Sequence, residues 1–139
     1  MRRQYFLAAL TLSASGCSTV LNLAFHNDTA RDVEVCNLHR AANACVTVGT
    51  HSVVRMPLVA DHAAESWAFR VSAGDASRSY DFGHIDLWRL RSGSCRTPWS
   101  RGCEVDVRLD ANGLIYWVAA SENAAAGAQP DGFPIAPGA

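Results

Sequence analysis

The chain has 139 residues, 49% of them hydrophobic and 18% charged, with a formal net charge of -1. That suits one globular core and gives no broad positive field for phosphate backbones, so a nucleic-acid partner is not expected. All 12 basic side chains are arginine, which removes Schiff-base, lysine general-base and P-loop chemistry.

The first residues carry an address. Met1, Arg2 and Arg3 form a positive n-region ahead of the apolar run Tyr5 to Leu12 and the small residues Ser13 to Gly16, the pattern of a secretory signal. About eight apolar residues are too few for a hydrocarbon core that needs roughly twenty, so residues 1–16 read as a cleaved signal and not as a membrane helix. Ala14-Ser15-Gly16-Cys17 resembles the lipobox of bacterial lipoproteins, with Ala where that family usually has Leu. The resemblance implies that Cys17 becomes the lipid-modified first residue. It also implies, through Ser18, sorting to the outer membrane with the domain on the periplasmic side. Arg2-Arg3-Gln4-Tyr5-Phe6 is similar to a degenerate twin-arginine export motif, so export runs through the Sec or the twin-arginine route.

Strand patterning begins at Val20. Leu21, Leu23 and Phe25 alternate with polar or small residues, Asn27-Asp28-Thr29 supplies turn chemistry, and Val33 and Val35 resume the alternation, which predicts a first hairpin. Val46 and Val48 precede a Gly49-Thr50 break. Val54, Met56 and Leu58 follow, with Pro57 suiting an edge position because it cannot donate to a ladder. Trp67, Phe69 and Val71 alternate next, and Gly74-Asp75 turns the chain into a strand bearing Tyr80 and Phe82. Ile85 to Leu90 fits a strand or one helical turn equally well. Val105, Val107 and Leu109 lead through Asp110-Ala111-Asn112-Gly113 into Leu114 to Ala119, the strongest hairpin signal in the chain. The expected fold is all-β: a small antiparallel sandwich or barrel of about eight to nine strands over residues 17–122. Residues 123–139, rich in Ala, Gly and Pro, are expected to be a disordered tail that cannot offset its ordering entropy.

With Cys17 lipidated, Cys36, Cys45, Cys95 and Cys103 remain, an even number in an exported chain. Each near pair brackets a short segment between strands, which favours two local disulfides, Cys36 to Cys45 and Cys95 to Cys103. A zinc site would ordinarily use a Cys-x-x-Cys spacing, which does not occur here.

The compositional anomaly is the run Trp88-Arg89-Leu90-Arg91 followed by Arg96, Trp99 and Arg101. A disulfide-stiffened loop carrying Trp99 between Arg96 and Arg101 is preorganised to bind an envelope protein or an anionic ligand. The same residues also suit a plain arrangement in which Trp88 is core, Trp99 covers the barrel end and the arginines reach water. His26, His39, His51, His62 and His84 are scattered without metal-ligand spacing, and no nucleophile elbow or phosphate loop occurs. Glu65, Asp75, Asp81 and Asp86 read as solvated acids near turns, so neither an enzyme nor a cofactor is expected. Ser72-Ala73-Gly74 through Arg78-Ser79-Tyr80, then Trp88 and the Val105 strand, resemble the periplasmic lysozyme inhibitors of the lipoprotein type. Those are small disulfide-bonded β-barrels that insert a serine and a lysine into the lysozyme cleft, and this chain has no lysine. The expected function is therefore an envelope binding or structural module. A lysozyme-inhibitor-like binder and a small hydrolase are the alternatives. An acid-lined cleft would favour the hydrolase, and a protruding Trp99 loop the binder.

Overall fold

A computed structural model describes residues 21–38, 44–58, 67–83, 85–91, 103–118 and 128–138. Eight strands occupy most of them: β1 (Leu21–Asn27), β2 (Val33–Asn37), β3 (Cys45–Val48), β4 (Ser52–Leu58), β5 (Ala68–Ala73), β6 (Ala76–Asp81), β7 (Cys103–Leu109) and β8 (Ile115–Val118). They form two four-stranded sheets, ordered β4-β1-β7-β8 and β3-β2-β5-β6. The sheets are open, so the barrel alternative does not hold.

The period-two pattern is what puts one face of each sheet into a common core. From the first sheet come Leu21, Leu23, Phe25, Met56, Leu58, Val105, Val107 and Ile115, and from the second Val33, Val35, Val48, Phe69, Val71 and Tyr80, all buried in one cluster. Fully burying a side chain of this size contributes about 1.5 to 3 kcal/mol, so these residues dominate the stabilising side of the balance. The opposite face of the first sheet is polar. There Arg55 pairs with Glu104 at 2.6 Å and His26 with Asp106 at 2.8 Å, across strands in register at Ala24↔Arg55 and Ala24↔Asp106.

Three expectations need correction. The turn at Asn27 does not close a hairpin: β1 pairs with β4 and β7, whereas β2 pairs with β3 and β5 in the other sheet. The turn chemistry is there, but it carries the chain across the core. The fold is also not wholly antiparallel, because β1 and β7 are parallel, with Leu21 opposite Cys103 and Asn27 opposite Leu109. Successive strands reverse direction, so two odd-numbered strands that become neighbours must run the same way.

The third correction concerns the C-terminal end. Residues 128–138 pack against the domain, with Phe133 and Ile135 buried. Ile115 and Ile135 exchange backbone hydrogen bonds of 3.0 and 2.8 Å. The Gln129 side chain accepts from Trp117 N at 2.9 Å and donates to Trp117 O at 3.1 Å, imitating a strand partner. Gly138 N then donates to Ser79 O of β6 at 2.8 Å. One segment thus laces the β8 edge of the first sheet to the β6 edge of the second, covering backbone groups that would otherwise template aggregation. The Phe133 ring packs edge-on to Phe82 at 6.1 Å, and Phe82 lies 5.1 Å from Phe69. These apolar contacts offset the ordering entropy that the composition alone could not.

Other expectations hold. The β7–β8 hairpin closes over Asp110 to Leu114, where Gly113 adopts φ 78°, a conformation that favours glycine. Gly74 does the same at φ 58° in the β5–β6 hairpin. Pro57 lies on β4, an edge strand. Ile85 to Leu90, expected to be a strand or one helical turn, departs from that expectation and forms consecutive turns instead, with Arg89 N donating to Asp86 O and Leu90 N to Leu87 O, each at 3.1 Å. Leu87 is buried, while Trp88 is half-buried against the core. Cys36 and Cys45 are disulfide-bonded, facing each other across β2 and β3. Among the described residues no helix is long and apolar enough to cross a membrane.

Candidate functional site

The alternating strand directions gather the connections 28–32, 49–51, 74–75 and 110–114 at one pole. Asn27, at the last inward position of β1, holds two of them. It is 1% exposed, and its Nδ2 donates to the carbonyls of Arg31, Val48 and Gly49 at 2.7, 3.0 and 3.2 Å. Its Oδ1 accepts from Thr29 N at 3.1 Å and Thr29 Oγ1 at 2.7 Å. The 49–51 connection is also tied through Thr50 N to Asp32 Oδ1 at 2.9 Å, and through His51 to Asp28 at 3.0 Å.

Between the 28–32, 74–75 and 110–114 connections opens a cavity of about 350 Å³. Its apolar walls include Val33, Val71, Ala73, Ala76, Leu109 and Ala111, and its polar groups are Thr29, Arg31, Arg78, Tyr80 and Asp110. Tyr80 comes from the core side, its ring buried and its hydroxyl donating to Gly113 O at 2.8 Å. Burial pushes the phenol above its ordinary pKa; the Arg78 guanidinium beside it opposes the shift and the Asp110 carboxylate adds to it. Arg78 presses against the glycine turn so closely that a Cβ on Gly113 would lie 2.5 Å from its guanidinium.

The acid at this cavity is already engaged. Asp110 Oδ1 accepts from the backbone amides of Asn112 and Leu114, both at 3.0 Å, and Oδ2 from Asn112 Nδ2 at 3.3 Å. Among the described residues no carboxylate pairs with Arg31 or Arg78. The cavity therefore offers an apolar lining and two guanidinium groups without a carboxylate partner. Arginine forks of this kind recognise planar anions.

None of the described residues singled out from sequence as candidate sites lines this cavity. Arg96, Trp99, Arg101 and Cys95 fall outside the described residues, as do Cys17, the signal and residues 39–43. Arg89 pairs with Asp86 at 3.2 Å, and Arg91 lies 6.0 Å over the Trp88 ring. Of the acids, Asp81 caps Gly83 N at 2.7 Å, Asp75 sits in a hairpin turn, and Glu65 is outside the described residues. Glu34 lies beside Cys36 and Cys45, but both sulfurs are consumed by the disulfide and cannot ligate a metal. Sequence reasoning passed over Arg31, Arg78, Tyr80 and Asn27 as a group. Two of them were marked in the pattern: Arg78 and Asn27 are polar residues on the inward phase of their strands. No protein-family model, curated protein or solved structure matches this chain.

Proposed function

We propose that the protein is an exported lipoprotein, anchored through Cys17 at the periplasmic face of the outer membrane, that acts as a binding module through the cavity between its loops. Ala14-Ser15-Gly16-Cys17 supports the anchor, and a disulfide between Cys36 and Cys45 accords with an oxidising compartment. A sandwich stapled by a second bridge, Cys95 to Cys103, belongs to the same reading.

The observation that carries the proposal is the direction of β1. It opens at Leu21, just behind Cys17, and over its 7 residues, about 20 Å, it runs to Asn27 at the cavity pole. A tether this short holds the Leu21 end against the leaflet, and the cavity then opens toward the periplasm. Binding is favoured over catalysis because the reactive groups of the described lining are already engaged: the Thr29 hydroxyl with Asn27 Oδ1, the Tyr80 hydroxyl with Gly113 O, and the Asp110 carboxylate with the amides of its own turn.

The anchor is tested by fractionation. The wild type is expected to partition with membranes and to incorporate labelled palmitate, and Cys17→Ser to be released or left uncleaved. Equal partitioning and labelling of the two would overturn the lipoprotein reading.

A further inference from the structure

We infer that the cavity between the 28–32, 74–75 and 110–114 connections binds a small monoanionic amphiphile, a carboxylate carried on a short apolar body. This deepens the binding reading and rests on it. Aliphatic side chains, among them Val33, Val71, Ala76 and Leu109, make most of the lining. They reward an apolar body and give a fully hydrated ion such as free phosphate nothing to replace its water. The volume, about 350 Å³, is at the small end of ligand pockets, which limits the body to about the size of one phenyl ring and a short chain.

Charge selects the head group. Among the described residues that line the cavity, Arg31 and Arg78 stand with a single carboxylate, Asp110, which leaves one surplus positive charge at the mouth. One negative charge on the ligand balances it, whereas a dianion would bring an uncompensated charge beside Asp110. Arg78 supplies the more preorganised contact, because its guanidinium is pressed against Gly113 before any ligand arrives. A head group meeting it needs little reordering of the side chain. Arg31, on the opposite connection, is exposed and reaches the same cavity. A planar carboxylate matches the fork of either guanidinium.

The test is calorimetric titration of the purified full chain in detergent, against a detergent-only control, with 3-phenylpropionate, 3-phenylpropan-1-ol and inorganic phosphate as probes. The carboxylate is expected to bind saturably at or below about 1 mM. The alcohol should bind about tenfold more weakly or worse, since a charge-assisted hydrogen bond is lost, and phosphate should give no saturable heat. Arg78→Gln should remove about tenfold or more of the carboxylate affinity while leaving the alcohol unchanged. Ala76→Trp, which fills the cavity from an exposed position on β6, should abolish binding of both organic probes. Arg31→Gln provides the same comparison should Arg78→Gln prove unstable, because its side chain is solvent-exposed. Equal affinity for acid and alcohol, saturable phosphate binding, or insensitivity to both arginine variants would overturn the inference. The outcome is independent of the anchor: a Cys17→Ser chain that is soluble and still binds the carboxylate leaves both readings standing, and a wild type that never reaches membranes removes the anchor alone.

Discussion

Asn27 offers the sharpest test of how the cavity pole is built. Its two N–H hydrogens serve three carbonyls, those of Arg31, Val48 and Gly49, and its carbonyl oxygen accepts from Thr29 twice. Asn27→Ala removes all of these contacts. Each hydrogen bond is worth about 1 kcal/mol net, but water can reach the partly exposed Arg31 and Gly49 carbonyls, so the expected loss is about 2 to 4 kcal/mol. Most of it comes from the Val48 carbonyl, whose bond to Asn27 is buried. Asn27→Asp keeps the shape and the contacts to Thr29 but aims a carboxylate oxygen at three carbonyl oxygens. At neutral pH it should destabilise more than Asn27→Ala, because a buried charge then faces the negative ends of three dipoles. That environment raises the folded-state pKa of the new carboxyl above its unfolded value. The folded state then holds the proton more tightly, so the defect is smallest at low pH and grows as pH rises through the folded pKa. Urea denaturation followed by near-UV and far-UV circular dichroism at pH 5 and pH 7.5 measures both effects. An Asn27→Ala variant within about 0.5 kcal/mol of wild type, or an Asn27→Asp variant whose defect does not shrink at pH 5, would refute this reasoning.

Phe133→Ala should lower stability by about 3 kcal/mol, the cost of emptying a ring site that Phe82 lines, and truncation after Gly127 should cost more and promote self-association through the bared β6 and β8 edges; a truncated chain that melts and sediments like wild type would show that the segment is passive. Non-reduced peptide mapping should recover Cys36 joined to Cys45, and the double serine variant should lose about 2 to 3 kcal/mol of stability, with an unchanged denaturation midpoint counting against the bridge. The same mapping tests Cys95 with Cys103. Ultraviolet titration should show one tyrosine ionising above the ordinary range. Because the folded pKa of Tyr80 is raised, its contribution is complete below the unfolded value near 10 and is lost as pH rises through the folded one, so Tyr80→Phe should flatten the alkaline fall in stability.

What the sequence by itself determined is local. Alternation of apolar residues from Leu21 to Phe25, Phe69 to Val71 and Val105 to Leu109 defines strands, because successive side chains of a strand point to opposite faces. Asp110 to Gly113 marks its hairpin because Gly113 takes a conformation that costs other residues energy. Cys36 and Cys45 declare their partnership by spacing, and Pro57 declares an edge. Tertiary structure decided which strands are neighbours. Nothing in the residues of β1 and β7 encodes their parallel register, since many strands present a similar apolar stripe and only the global packing chooses among pairings. The turn after Asn27 shows the same limit: its chemistry reverses the chain equally well within a sheet or between sheets. Residues 128–138 looked like a tail because Phe133 and Ile135 are sparse among Ala, Gly and Pro, and their burial depends on a slot between Phe82, β6 and β8 that exists only after the sheets assemble. The cavity depends on assembly in the same way, because Arg31, Arg78 and Asp110 stand far apart along the chain and meet only when alternating strand directions bring three connections to one pole.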